Sequence, residues 1–315
     1  MKLLHWFKQK QLGSSIDYFI QPRKVKYDWQ ETPIDWIPNQ PFMSYFINQV
    51  HMILPEGEFW MCRVFNKVLP QVTDEKLKED VKAFIRQEAM HATAHVTAHK
   101  DYLSERQIDP STNLAIMDFV FKKLFADEPL GYTLPTKLQK EWDVIRVGLA
   151  ATAEHLTCAL GQYGLYNTRW QEMGADPEML DLIKWHGAEE IEHRSVAFDL
   201  YRHLGGGYFA RYLFSVAMVV GVVIFWFDGA ARIMRQDPRF KAYKPSIVRP
   251  WIWRQWLKMS LQDSQVMPTP FWLFKQQLRF LSPNYDPVTE ANTQDALDFI
   301  AQSRGALRAQ GLLIH

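Results

Sequence analysis

Apolar residues recur at three- and four-residue spacing through much of the chain, which is the period of a helix with one buried face. After Glu58, the residues Met61, Cys62, Phe65 and Leu69 continue such a face. Residues 41–69 therefore read as a first long helix, with a break expected at Pro55-Glu56-Gly57. Pro70 ends it, and Thr73 or Asp74 is placed to cap the next. That second helix carries Leu77, Val81, Phe84, Glu88, His91, His95 and His99 on one stripe. A shorter helix over 113–126 follows, and Pro129 and Pro135 bracket the loop after it. A third long helix, about 135–169, aligns Val147, Ala150, Glu154, Thr157, Cys158 and Gly161, whose small members admit a close neighbour. The fourth, about 177–204, aligns Met179, Ile183, His186, Glu190, His193, Ala197 and Leu200. Gly205-Gly206-Gly207 ends it, because glycine takes the left-handed capping conformation.

The polar residues on these stripes repeat a pattern. Glu88 to His91 and Glu190 to His193 are both Glu-x-x-His, which sets two donors on one helix face. Each is preceded by a glutamate one helical hairpin upstream, Glu58 by 30 residues and Glu154 by 36. Carboxylates and imidazoles on an apolar stripe are costly to bury unless partnered, and a metal supplies the partner. The order Glu, Glu-x-x-His, Glu, Glu-x-x-His is the ligand set of a dinuclear carboxylate centre in a helix bundle. Surface ion pairing is the alternative, but it conflicts with the apolar neighbours of Glu88 and Glu190.

Glu58 and Glu154 are read as terminal ligands, Glu88 and Glu190 as bridging ones, and His91 and His193 as one imidazole per ion. Glu56 could replace Glu58, although Glu58 is better phased with Cys62 and Phe65. His186 shares the face of Glu190 and His193 and is a candidate third histidine ligand. His95 and His99 are assigned supporting or structural roles. His155 and Glu189 lie off the row and are expected to face solvent or support the ligands from outside. Glu192 and Arg194 could belong to a charged shell around the ligands. The donor set suits two iron ions, with manganese or a mixed manganese/iron pair also compatible.

Around this core the chain divides into an arm (1–40), the metal-bearing bundle (41–205), an apolar segment (206–228) and a helical extension (229–315). The arm contains Arg23-Lys24-Val25-Lys26, three prolines and the anchors Trp29 and Trp36, and is expected to wrap the bundle irregularly. Residues 212–227 are uncharged for 16 positions, slightly short of the roughly 20 that a spanning helix needs. Basic residues flank it on both sides, so no orientation follows. Three readings stand: a membrane-embedded or monotopic segment, a buried or dimer-interface helix, and a single span. Beyond residue 244, Trp251, Trp253, Trp256 and Trp272 lie among Arg and Lys, as in interface-seeking segments or in tryptophans packed on a bundle. Residues 292–307 read as a surface helix.

The totals change this picture little. With 36 basic and 35 acidic residues, nothing calls for a nucleic-acid partner. Two cysteines, Cys62 and Cys158, make no disulfide framework and fit a reducing cytoplasm. Residues 1–10 do not open like a secretory signal. The aromatic share of 14% suggests an apolar pocket or contact with a membrane, which would place the protein at the inner face of the cytoplasmic membrane.

The segments Pro-Glu-Gly-Glu-Phe, Arg-Gln-Glu-Ala-Met-His, Ala-Glu-His-Leu-Thr and Trp-His-Gly-Ala-Glu-Glu-Ile-Glu-His-Arg-Ser-Val-Ala-Phe-Asp resemble bacterial ferritin-like proteins called predicted metal-dependent hydrolases. The resemblance runs over about 27–286 and implies an all-α, ferritin-like four-helix bundle. The run His186-x-x-x-Glu190-x-x-His193 is also similar to that of di-iron arylamine N-oxygenases, where the extra histidine binds metal. Function is then expected to be dioxygen activation at a di-iron centre, oxidising a hydrophobic or aromatic small molecule, with Glu88 and Glu190 changing binding mode. An electron-donor protein would be required, and a homodimer is compatible. Metal-activated hydrolysis is the alternative, and a non-enzymatic metal-binding role the third.

Overall fold

In the computed structural model, residues 19–313 are described, and among them the chain is all-α with no strand. The part of the arm before residue 19, residues 1–10 included, lies outside the described residues. Residues 19–40 contain neither helix nor strand and lie along the helices. Trp29 and Trp36 are buried there, Trp36 edge-on to Trp170 at 5.8 Å. Arg106 secures the same stretch by donating to the carbonyls of Thr32 and Gln30 at 2.8 and 3.0 Å.

The helices are α1 (Pro41–Asn48), α2 (Val50–Val68), α3 (Glu75–Thr97), α4 (Ser111–Phe119), α5 (Thr136–Tyr166), α6 (Pro177–His193), α7 (Val196–His203), α8 (Tyr208–Met234), α9 (Pro250–Gln262), α10 (Pro270–Phe280), α11 (Thr293–Ile300) and α12 (Arg304–Ala309). Helix α2 packs on α3 and α5 on α6, and the two pairs meet through α2 with α5 and α3 with α6. The predicted stripes face inward: Val64, Phe65, Val81, Phe84, Val147 and Ala150 are all buried in one apolar cluster. Asp74, rather than Thr73, caps α3, its carboxylate accepting from the Leu77 amide at 2.9 Å.

Three expected boundaries are corrected. The first helix does not break at Pro55; α2 runs through it, forgoing the bond that a Pro55 amide would donate to the His51 carbonyl, and the interruption falls at Gln49 instead. The fourth helix is not continuous to 204, because it parts at Arg194-Ser195. There the Arg194 guanidinium turns aside to donate to the carbonyls of Pro287 and Val288, both at 3.0 Å, tying the extension to α6. Residues 292–307 are two short helices rather than one surface helix. Ser303 separates them and is itself buried, donating to Asp181 of α6 at 2.7 Å. Gly205 ends α7 with a φ of +85°, as expected of a glycine cap.

Candidate metal centre

Glu58 comes from α2, Glu88 and His91 from α3, Glu154 from α5, and His186, Glu190 and His193 from α6. All seven are buried. They form overlapping sets whose donor atoms lie within 4.8 Å of one another: Glu88, Glu154, Glu190 and His193; Glu58, Glu88 and His91; His91, His186 and Glu190. A further set joins Glu58 and His186 to His95, assigned only a supporting role from sequence. Glu56 is not among these groups. It pairs with Lys122 at 3.1 Å on the other side of α2.

The imidazoles are aimed by partners outside the cluster. Glu189 holds Nε2 of His91 at 3.1 Å, leaving Nδ1 facing Glu88 at 3.3 Å and Glu190 at 3.7 Å. The Gln87 carbonyl oxygen lies 2.9 Å from Nδ1 of His193, whose Nε2 faces Glu154 at 3.1 Å. Assigning the protons to the outer nitrogens leaves one lone pair per ring directed inward, as metal-binding histidines require. His186 points Nε2 at Glu190, 2.9 Å away, while its Nδ1 contacts His95 Nε2 at 2.8 Å. His95 in turn meets His51 at 2.8 Å, so three histidines run in a chain from the cluster into the protein.

Several donor atoms point inward and face one another without forming a hydrogen bond. Both carboxylate oxygens of Glu58, Glu88 and Glu154, with Nδ1 of His91 and Nε2 of His193, are buried without a hydrogen bond among the described residues. A buried carboxylate left in this state is costly, and a cation among them removes the cost. The donor set thus fits metal ions. Without one, burial, then neighbouring Glu88, raises the Glu58 carboxyl well above the usual range. Burial, then Glu190 and Glu88, does the same to Glu154. Glu190 is held well below that range: burial opposes its charge, but His193 and His186 outweigh it. His91 is raised against its own burial by Glu189 and Glu88, and His193 likewise by Glu190 and Glu154. Burial and then the His91 charge lower His186. Such opposed shifts express surplus negative charge at the centre of the helices.

Of the two alternatives for His155 and Glu189, exposure to solvent is corrected for both, while Glu189 does support a candidate ligand, His91, from outside. Glu189 is fully buried against His91 and Arg23, and His155 is buried between Tyr285, at 2.9 Å, and the Gln276 carbonyl, at 3.0 Å. Sequence reasoning also missed four contributors. Arg23 reaches from the arm to Glu189 at 3.1 Å and Glu192 at 2.6 Å, bridging more than 160 residues of chain. Gln87 joins His193 to Glu192, donating to the latter at 2.9 Å. Thr157 donates to Glu190 at 2.6 Å. His51 could have been found, since it stands seven residues, or two turns, before Glu58 on the same face. Nothing local marks Arg23. Arg194, expected near the ligands, holds backbone carbonyls of the extension instead.

A cavity of about 320 Å³ adjoins the cluster. His95, His186 and Thr157 line its inner end, and Val223, Trp226 and Trp256 its outer walls. Nearly every side chain around it is apolar.

A family model described as predicted metal-dependent hydrolase matches residues 21–291, which contain every one of these site residues. The chain belongs to that family. No match to a curated protein or to a solved structure is found. Metal dependence accords with the buried Glu and His groups. The family's description names hydrolysis, the alternative reading from sequence, rather than the oxidation placed first there.

Proposed function

We propose that this protein is a metal-dependent hydrolase with a dinuclear centre, acting on an apolar small molecule held in the adjoining cavity. The observation that carries the reading is the ring of buried, unpartnered carboxylate oxygens from Glu58, Glu88 and Glu154 facing His91 and His193. With Glu190, four carboxylates would balance two divalent cations, and the arrangement of α2, α3, α5 and α6 is read as ferritin-like. Bound cations would supply Lewis-acid polarisation of a carbonyl or phosphoryl group and a lowered pKa for water.

The chain's own residues perform the remaining tasks. Glu189 and Gln87 present His91 and His193 in fixed orientation. Thr157 lines the cavity and donates to Oε2 of Glu190, which fixes that carboxylate at the edge where substrate would enter. Glu190 Oε1, beside His186 Nε2, would then be held toward the cations together with Glu58, Glu88 and Glu154. The apolar walls hold an apolar chain and exclude bulk water from the centre.

A second reading, oxidation of the same class of substrate with dioxygen at iron, is favoured by one observation. The donor set is rich in carboxylates, holds no thiolate, and faces a cavity lined almost entirely by apolar side chains. That reaction would require an electron donor.

The two separate in one set of measurements on the full chain. Metal content is determined, and the zinc-, manganese- and iron-loaded forms are assayed with p-nitrophenyl esters of increasing chain length and for oxygen uptake. Ester turnover that rises with chain length and disappears in Glu190→Ala is expected. Oxygen consumption by the ferrous form without ester turnover would transfer the conclusion to the second reading, and absence of bound metal would end both.

A further inference from the structure

Helix α8 is 27 residues long and, by length and composition, apolar enough to cross a membrane. It does not leave the body of the protein. The Arg211 side chain donates to the Ser282 carbonyl at 2.7 Å, Gln49 to the Phe225 carbonyl at 3.2 Å, and Asn113 to the Gly229 carbonyl at 3.2 Å. These contacts hold its first turn and its C-terminal third against the body, while no residue from 216 to 226 is buried. The other side carries Phe209, Leu213, Val216, Val220 and Ile224, all exposed.

Helix α10 continues this surface. Ser215 of α8 donates to Gln277 of α10 at 3.0 Å, and Phe271, Phe274 and Leu278 of α10 are exposed nearby. Phe209 and Phe271 are 84% and 75% accessible, and together with their exposed apolar neighbours they form a patch of the kind that marks an interaction site. The cavity beside the metal centre has its outer walls in these elements, from Val223 of α8, Trp256 of α9 and Leu273 of α10.

Charge decides what covers this face. Between residues 205 and 285 there are eleven Lys and Arg against three Asp, a net +8 in a chain whose total is +1. Lys241, Lys244, Arg249, Arg254, Lys258 and Lys275 are exposed and enter no ion pair among the described residues. A second copy laid over this segment would set these six unpaired cations against their like. An anionic bilayer is complementary in both respects, taking the apolar side chains among its acyl chains and the lysines and arginines at its headgroups.

We propose that α8 and α10 form a monotopic docking face for anionic lipid bilayers, and that the cavity opens within it to admit an acyl chain from the membrane. The docking stands on surface chemistry alone; the passage of a chain to the metal centre rests on the function proposed above, and the two are tested separately.

The full chain is mixed with vesicles of phosphatidylglycerol and phosphatidylethanolamine, or of phosphatidylcholine alone, and separated by flotation. Binding to the anionic vesicles is expected, with loss on the order of tenfold or more in Arg254→Gln/Lys258→Gln. The variant Leu213→Glu/Phe271→Glu/Phe274→Glu should stay in the aqueous fraction, with metal content and circular dichroism unchanged. Wild-type protein that floats with neither vesicle, or a triple variant that floats equally well, overturns the docking. So does a concentration-dependent dimer, seen by sedimentation and abolished by the triple variant, in a protein that binds no vesicle. For the cavity, binding of the fluorescent fatty acid cis-parinaric acid is expected and should fall at least about tenfold in Leu160→Trp/Val223→Trp, which still floats. Equal binding by that variant refutes the acyl-chain route and leaves docking intact.

Discussion

Gly161 of α5 and Gly187 of α6 meet so closely that a Cβ on Gly161 would lie 2.6 Å from the Gly187 Cα, and one on Gly187 equally near the Gly161 Cα. Backbone thus touches backbone where α5 brings Glu154 and α6 brings His186, Glu190 and His193. The spacing of the candidate metal centre depends on two absent side chains.

Gly187→Ala should therefore force the helices apart, since neither contact is with a flexible side-chain end. Overpacking of this kind costs about 1–3 kcal/mol. The thermal midpoint should fall, and metal per chain by elemental analysis should fall with it. Full metal content in a normally stable variant would contradict the role given to this contact.

Gln87→Ala removes the oxygen that orients His193 without removing a ligand. Metal affinity, measured by competition with a chromophoric chelator, should drop by roughly 10- to 100-fold. An unchanged affinity would show that the imidazole is positioned by packing against Phe84 alone, whose ring lies 4.8 Å away.

Glu58 and Glu56 stand two residues apart and differ in what they face. Glu58→Ala should lower metal stoichiometry, whereas Glu56→Ala should lose only its bridge to Lys122 and cost under about 1 kcal/mol. The reverse result would move the α2 ligand to Glu56.

Removing metal with a chelator should destabilise the protein. A ligand at a hundred times its dissociation constant contributes about 2.7 kcal/mol, which in a chain of this size is several degrees in Tm. Differential scanning calorimetry with and without chelator measures it, and identical midpoints would argue against bound metal.

Asp199 gives a pH dependence away from the ligands. Burial, then Asp286 and Asp80, push its carboxyl from 3.8 up to about 7, against Arg202 and the Ser195 hydroxyl. The folded state binds this proton more tightly than the unfolded chain. Its contribution is therefore present in full below about pH 3.8 and is lost as pH rises to about 7. Asp199→Asn should be the more stable protein at pH 8, on the order of 2 kcal/mol after allowance for partial exposure, with the advantage gone near pH 4. Urea melts across that range test the sign.

The helices, the Glu-x-x-His pairs and their upstream glutamates were all legible, because helical period is local and polar residues stand out on an apolar stripe. The all-α class followed from the same pattern. What lay beyond reach required residues distant in the chain to meet. The turn of Arg194 toward Pro287 and Val288, at the break between α6 and α7, depends on a segment more than 90 residues later. The burial of Glu189 depends on Arg23, from an arm with no periodicity of its own. Position 212–227 showed an apolar helix and left three environments open. Only the packed structure laid it along the body with one side bare, since a sequence fixes which face of a helix is apolar but not what comes to rest against it.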